Sequence, residues 1–171
     1  MSARRLPDTS SAFPAEALGL LQVRAVDLAE VPGLAEAARA IGVDRGIDYL
    51  ADREVAAMLH RHRRLLGRMN SRGAWGGLLL APGAVGAWFL IDTTDWGTLD
   101  PVVGLILCLP VVLLLAAGVY LLSRAFWFRR AWVRGGTRDQ VNGYLQILST
   151  SGLALHQLPA WLKPPTGKSW R

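Results

Sequence analysis

Two charge-free apolar runs, 74–91 and 102–122, constrain this chain more than any other feature. At a helical rise of about 1.5 Å per residue, each is about long enough to cross a hydrocarbon core of about 30 Å. The segment between them, Asp92-Thr-Thr-Asp-Trp-Gly-Thr-Leu-Asp100, is acidic and too short for anything but a turn. The expected fold is therefore an all-α membrane protein: a two-helix transmembrane hairpin with a small N-terminal helical cytoplasmic region and a short amphipathic C-terminal helical arm.

Charge orients the hairpin. The 73 residues before the first run hold eleven arginines and nine acids, the turn holds three aspartates and no base, and the part after 123 holds eight bases and one acid. By the excess of basic residues on the cytoplasmic side, both termini are expected in the cytoplasm and only 92–100 outside. Lysine is nearly absent beside arginine, a bias typical of GC-rich bacterial genomes, so a bacterial inner membrane is the expected location. No apolar run follows the early Arg4-Arg5 pair within the next fifty residues, so the first span is expected to direct insertion rather than a cleavable leader. One cysteine, Cys108, excludes an intramolecular disulfide and a cysteine metal framework.

Residues 1–12 show no period and read as a flexible lead-in to the N-terminal region, 13–73. Phe13-Pro14-Ala-Glu16 opens a helix expected to reach Glu30, with Leu18, Leu21, Ala25 and Leu28 at helical spacing. A second helix is expected over 34–41, ended by Gly42 in the left-handed conformation. A third should run from Ile47 to about Met69, with Val55, Met58, Leu59, His62, Leu65, Leu66 and Met69 on its apolar face and arginines on an adjacent stripe. That face could cover the first two helices, rest on the lipid leaflet, or leave the arginines for nucleic acid. Nucleic acid ranks last, since topology already explains basic residues beside a span.

Within 74–123, the first span segregates its small residues. On a helical wheel Gly73, Gly76, Gly77, Gly83, Ala84 and Ala87 fall on one side, with Gly73/Gly77 and Gly83/Ala87 as small-x-x-x-small pairs, a pattern that lets helix backbones approach closely. The second span opens at Asp100-Pro101, an N-cap followed by proline at the first helical position. It offers a narrower small face of Gly104, Cys108, Val111 and Gly118. Pro82 and Pro110 should bend their helices. Arg61, Arg64, Arg68, Arg72 and Trp75 at the first span, and Trp127, Arg129, Arg130 and Trp132 after the second, are expected at the lipid headgroups.

In the arm, 124–158, Gly135-Gly136 breaks the chain and Thr137-Arg-Asp-Gln140 reads as a capping box for a helix to about Leu148, with Val141, Tyr144, Leu145 and Leu148 as its apolar stripe. Residues 153–158 could add one or two turns. The tail, 159–171, is expected to be extended, with Trp161 and Trp170 exposed.

No chemistry emerges. His60 and His62 are two residues apart, on different sides of a helix, and cannot share an ion. Asp92, Asp95 and Asp100 lack the alternation of an EF-hand loop, and Gly167-Lys168-Ser169 lacks the earlier glycine of a phosphate loop, with Leu162 in its place. No cofactor or metal is expected. The chain reads as a small non-enzymatic subunit of a membrane complex, of a secretion, conjugation or energy-transducing machine, with other transmembrane proteins and anionic lipid headgroups as partners. The alternatives are a self-associating protein that forms a pore or remodels lipid, and a membrane-tethered regulator.

Overall fold

The computed structural model describes residues 15–95, 97–152, 157–165 and 169–170. Among these every regular element is a helix, without strands. A 3-10 turn, Ala15–Leu20, precedes α1 (Ala25–Glu30), α2 (Leu34–Arg45), α3 (Asp52–Thr93), α4 (Pro101–Arg134) and α5 (Thr137–Thr150). The expected lead-in, with Phe13 and Pro14, lies outside the described residues, as do 153–156 and 166–168. The chain divides into two compact units, one from 1–63 together with 135–171 and one from 64–134.

The first unit joins the two flanks that the sequence kept apart. Leu28 of α1, Leu34 and Ala38 of α2, Tyr49, and Val55, Met58 and Leu59 of α3 share a buried cluster with Val141, Tyr144, Leu145, Ile147 and Leu148 of α5 and with Leu158 and Leu162 beyond it. The apolar stripe of α5 is therefore spent on protein contacts rather than on an independent arm. The tail is packed as well. Trp161 and Trp170 are half-buried against this cluster, and Asn142 holds Trp170 through both backbone groups, at 2.8 Å to its N–H and 3.0 Å to its carbonyl. Neither tryptophan is an exposed anchor.

Local departures from the expected helices have identifiable causes. The helix expected to run to Glu30 breaks at 21–24 because the Gln22 and Val23 N–H groups donate to the Tyr144 hydroxyl, at 3.1 and 3.4 Å, while the N–H groups of Arg24 and Ala25 donate to Asp27 and Asp52. These distant acceptors satisfy donors that a helix would have satisfied locally. α2 runs through Gly42 and ends instead at Gly46, whose φ of 65° is left-handed. Gly42 is needed for room: a Cβ there would stand 2.5 Å from the Ile47 carbonyl oxygen. Thr137 lies inside α5, and the N-cap is Gly136 at φ 70°, so the capping box does not form.

The second unit is an antiparallel helix pair. The third helix and the first span expected from the sequence are one continuous α3, and both α3 and α4 run through their prolines, Pro82 and Pro110. Asp100 caps α4 as expected, its side chain accepting from the Val102 N–H at 2.8 Å. Both helices are long and apolar enough to cross a membrane by length and composition, and only 11% of the most apolar window of each is buried.

Candidate functional site

The inner seam of the helix pair is set by glycine. Gly76 and Gly118 face each other: a Cβ on Gly118 would stand 2.6 Å from Leu80 Cγ and 3.1 Å from the Gly76 carbonyl oxygen, and a Cβ on Gly76 would stand 2.9 Å from Leu122 and 3.2 Å from the Gly118 carbonyl oxygen. Further along, a Cβ on Gly83 would stand 2.9 Å from Leu115 and one on Gly86 would stand 3.2 Å from Val111. Numbers rise on α3 as they fall on α4, so the register is antiparallel and the backbones touch at the Gly76–Gly118 crossing.

This seam divides the small face read from the sequence. Gly76, Gly83, Gly104 and Gly118 are buried, and Gly73 and Ala87 are half-buried. Gly77 and Ala84 are exposed, and nothing lies within 4 Å of a Cβ built on Gly73 or Gly77. The sequence reading missed Gly86, Leu80, Leu115 and Leu122. The available signal was the seven-residue spacing of Gly76/Gly83 and of Gly104/Val111/Gly118, which keeps residues on one seam of a helix pair, rather than the four-residue spacing of small pairs.

Below the seam the expected headgroup residues separate into two sets. Arg61, Arg64, Arg68, Arg129 and Arg130 are exposed, as are Trp75 and Trp127 at 57% and 63%. Trp132 is not: it is 2% exposed. Trp132 continues the inner stripe of α4 through Gly118, Leu121, Ala125 and Phe128 at spacings of three and four, whereas Trp127 lies on the opposite side. Arg72 is half-buried on the inner stripe of α3. Its guanidinium lies 4.6 Å from the Phe128 ring centroid, with those of Arg68 and Arg124 each at 5.9 Å.

In the first unit, His62 is fully buried on the apolar face, while His60 is half-buried and His156 lies outside the described residues. The His62 Nε2–H donates to the Trp161 carbonyl at 3.3 Å, and the ring meets Trp170 edge-on, centroids 5.1 Å apart. Burial pushes its pKa down from 6.5 to about 4, against the smaller opposing effect of the Trp161 hydrogen bond. The folded state thus holds the neutral ring while the unfolded chain takes up a proton near pH 6.5. Stability from this group is fully present above that pH and is lost as pH falls towards about 4. Between pH 7 and pH 5 the expected loss is about 2 kcal/mol. Thermal unfolding of the detergent-solubilised chain across this range checks it, and in His62→Gln this contribution to the slope should disappear.

Among the described residues no group of three His, Cys, Asp or Glu side chains could hold a metal ion. Two shallow clefts open on the first unit, one lined by Arg39, Val43, Ile47, Asp48 and Glu54, the other by Arg45, Asp139, Asn142, Gln146, Ser149 and Ser169. No protein family, curated protein or solved structure matches this chain.

Proposed function

We propose that this chain is a small, non-enzymatic integral membrane subunit whose α3–α4 hairpin packs against other transmembrane helices of a larger complex. The carrying observation is the surface left once the hairpin has closed. Gly77, Ala81 and Ala84 form a second ridge of small residues that stays exposed, beside Leu78, Val85 and Trp88 at 61–74% exposure. An apolar surface of this extent suits lipid or a partner helix rather than water. Small residues along a ridge are what close helix packing uses where lipid is the competing neighbour.

The orientation with both flanks in the cytoplasm of a bacterial inner-membrane protein has two supports. The arginines cluster at the flank-side ends of both helices, while the 92–100 turn holds only acids. Both flanks also contribute to one core, which requires them on the same side of any bilayer the hairpin crosses.

Blue-native migration of mildly solubilised membranes tests the reading, comparing wild type with Gly77→Leu. Wild type is expected in a particle larger than the monomer, and Gly77→Leu is expected to release it without lowering its own thermal stability. A wild-type monomer would overturn the proposal. A ladder formed by the purified chain alone would favour a self-associating protein instead. The third reading, a membrane-tethered regulator, draws on the first unit having a core and two clefts of its own. A soluble ligand that raised the melting temperature of the full chain would favour it.

A further inference from the structure

We infer that Arg68, Arg72 and Arg124, gathered on Phe128, form a phosphate-binding site that bridges α3 and α4. Arg68 and Arg72 lie one turn apart on α3, as do Arg124 and Phe128 on α4. The three guanidinium carbons stand 5.9, 4.6 and 5.9 Å from the centroid of one ring. Among the described residues none of the three has a carboxylate within ion-pair distance, the ion pair there being Arg138 with Asp139 at 3.1 Å. The Arg72 Nη1 atom is buried and has no hydrogen-bond partner among the described residues.

An aromatic face attracts each cation but neutralises none of them. Three like charges collected without a counter-charge repel, and a buried guanidinium N–H without an acceptor is costly. Both defects are removed by one group. A phosphate supplies negative charge and several acceptor oxygens, and its geometry matches the planar fork of arginine donors, which lysine lacks.

The position favours a source. Arg72 precedes the first apolar run by two residues and Arg124 follows the second by two, so the cluster sits where both charge-free stretches end. A phosphate carried on acyl chains could place its headgroup here and its tails along the exposed apolar faces of the helices. This rests on the reading of α3 and α4 as membrane spans.

Native mass spectrometry of the full chain released from phosphatidylcholine vesicles with and without phosphatidylglycerol tests the site. Wild type is expected to retain phosphatidylglycerol. Arg72→Gln/Arg124→Gln should lower that retention about tenfold, and the exposed pair Arg53→Gln/Arg63→Gln should leave it near wild type. Arg124→Gln alone, at an exposed position, serves if the double variant does not fold. Arg72→Lys/Arg124→Lys should keep less than half of the wild-type retention, since charge remains but the fork is lost. Inorganic phosphate at millimolar concentration is the second arm. Displacement of the lipid by phosphate would assign the site to a soluble phosphate source, and its failure to compete assigns it to lipid. Equal retention by wild type and both variants would overturn the proposal. Alkaline extraction of membranes separates this from the parent reading: a chain released by carbonate fails as a membrane subunit, whereas a chain that stays but ignores the substitutions fails only here.

Discussion

Gly118→Leu is expected to force α3 and α4 apart and to lower the stability of the purified chain by about 3 kcal/mol, the upper part of the usual range for overpacking. Even the first added carbon has nowhere to go. It would sit 2.6 Å from Leu80 Cγ, a branch point and not a flexible end, and 3.1 Å from the Gly76 carbonyl oxygen. Gly118→Ala should therefore already cost about 1 kcal/mol, although alanine is the better helix former. Gly77→Leu supplies the contrast, because nothing lies within 4 Å of a Cβ there. Thermal unfolding in detergent should place Gly118→Leu lowest, Gly118→Ala next and Gly77→Leu level with wild type. Equal effects at 118 and 77 would mean that the seam is not where glycine matters.

Gly143→Ala should be as damaging in the other unit, again by about 3 kcal/mol. A Cβ at Gly143 would overlap the Tyr49 hydroxyl and stand 3.1 Å from Ile41 Cγ2, so α5 can lie beside α2 only because that position is bare. The hydroxyl cannot simply swing away. It donates to the Gln140 carbonyl at 2.6 Å, and the Tyr49 ring stacks with Tyr144 at 6.5 Å between centroids. Burial also raises the pKa of both tyrosines, so both remain protonated across the physiological range. Tyr49→Phe alone should cost about 1 kcal/mol through the lost hydrogen bond. In the double variant the missing oxygen makes room for the new methyl group, so the two losses should sum to less than their separate values by about 1 kcal/mol. Strict additivity in the melting data would refute this steric account.

The elements that the sequence revealed are those whose causes are local or repetitive. A charge-free run of about 20 residues has few structural outcomes. Asp100-Pro101 carries both halves of a helix start, and Val141, Tyr144, Leu145 and Leu148 repeat at the helical period. What stayed hidden depends on partners far along the chain. The break at 21–24 is caused by a hydroxyl 122 residues away, and nothing near Gln22 announces it. Gly42 and Gly46 are equally good helix stops in isolation. Only the carbonyl of Ile47 lying against Gly42 assigns the close approach to one and the left-handed turn to the other. Asn70-Ser-Arg-Gly73 looks like a boundary by composition, yet α3 passes through it, because a helix tolerates polar residues wherever water can reach them.

The candidate site was half legible for the same reason. Small residues on one side of the first span were visible, but which of them face α4 is decided by register, and register belongs to the pair. Trp132 shows the same limit. By composition it matches Trp127, yet five residues carry it to the opposite side of the helix and onto the buried stripe.

The division of the first unit into two stretches of chain has a consequence for how the protein is made. The core around Tyr49 and Tyr144 cannot close until α5 has left the ribosome, which it does only after the whole hairpin. If the hairpin crosses a bilayer as proposed, a chain in which one leg failed to insert would carry α5 to the wrong side. Leu28, Val55 and Leu59 would then lack their covering helix and remain open to proteolysis. Completion of the water-facing domain would thus act as a proofreading step on membrane insertion, leaving only correctly threaded chains resistant to degradation.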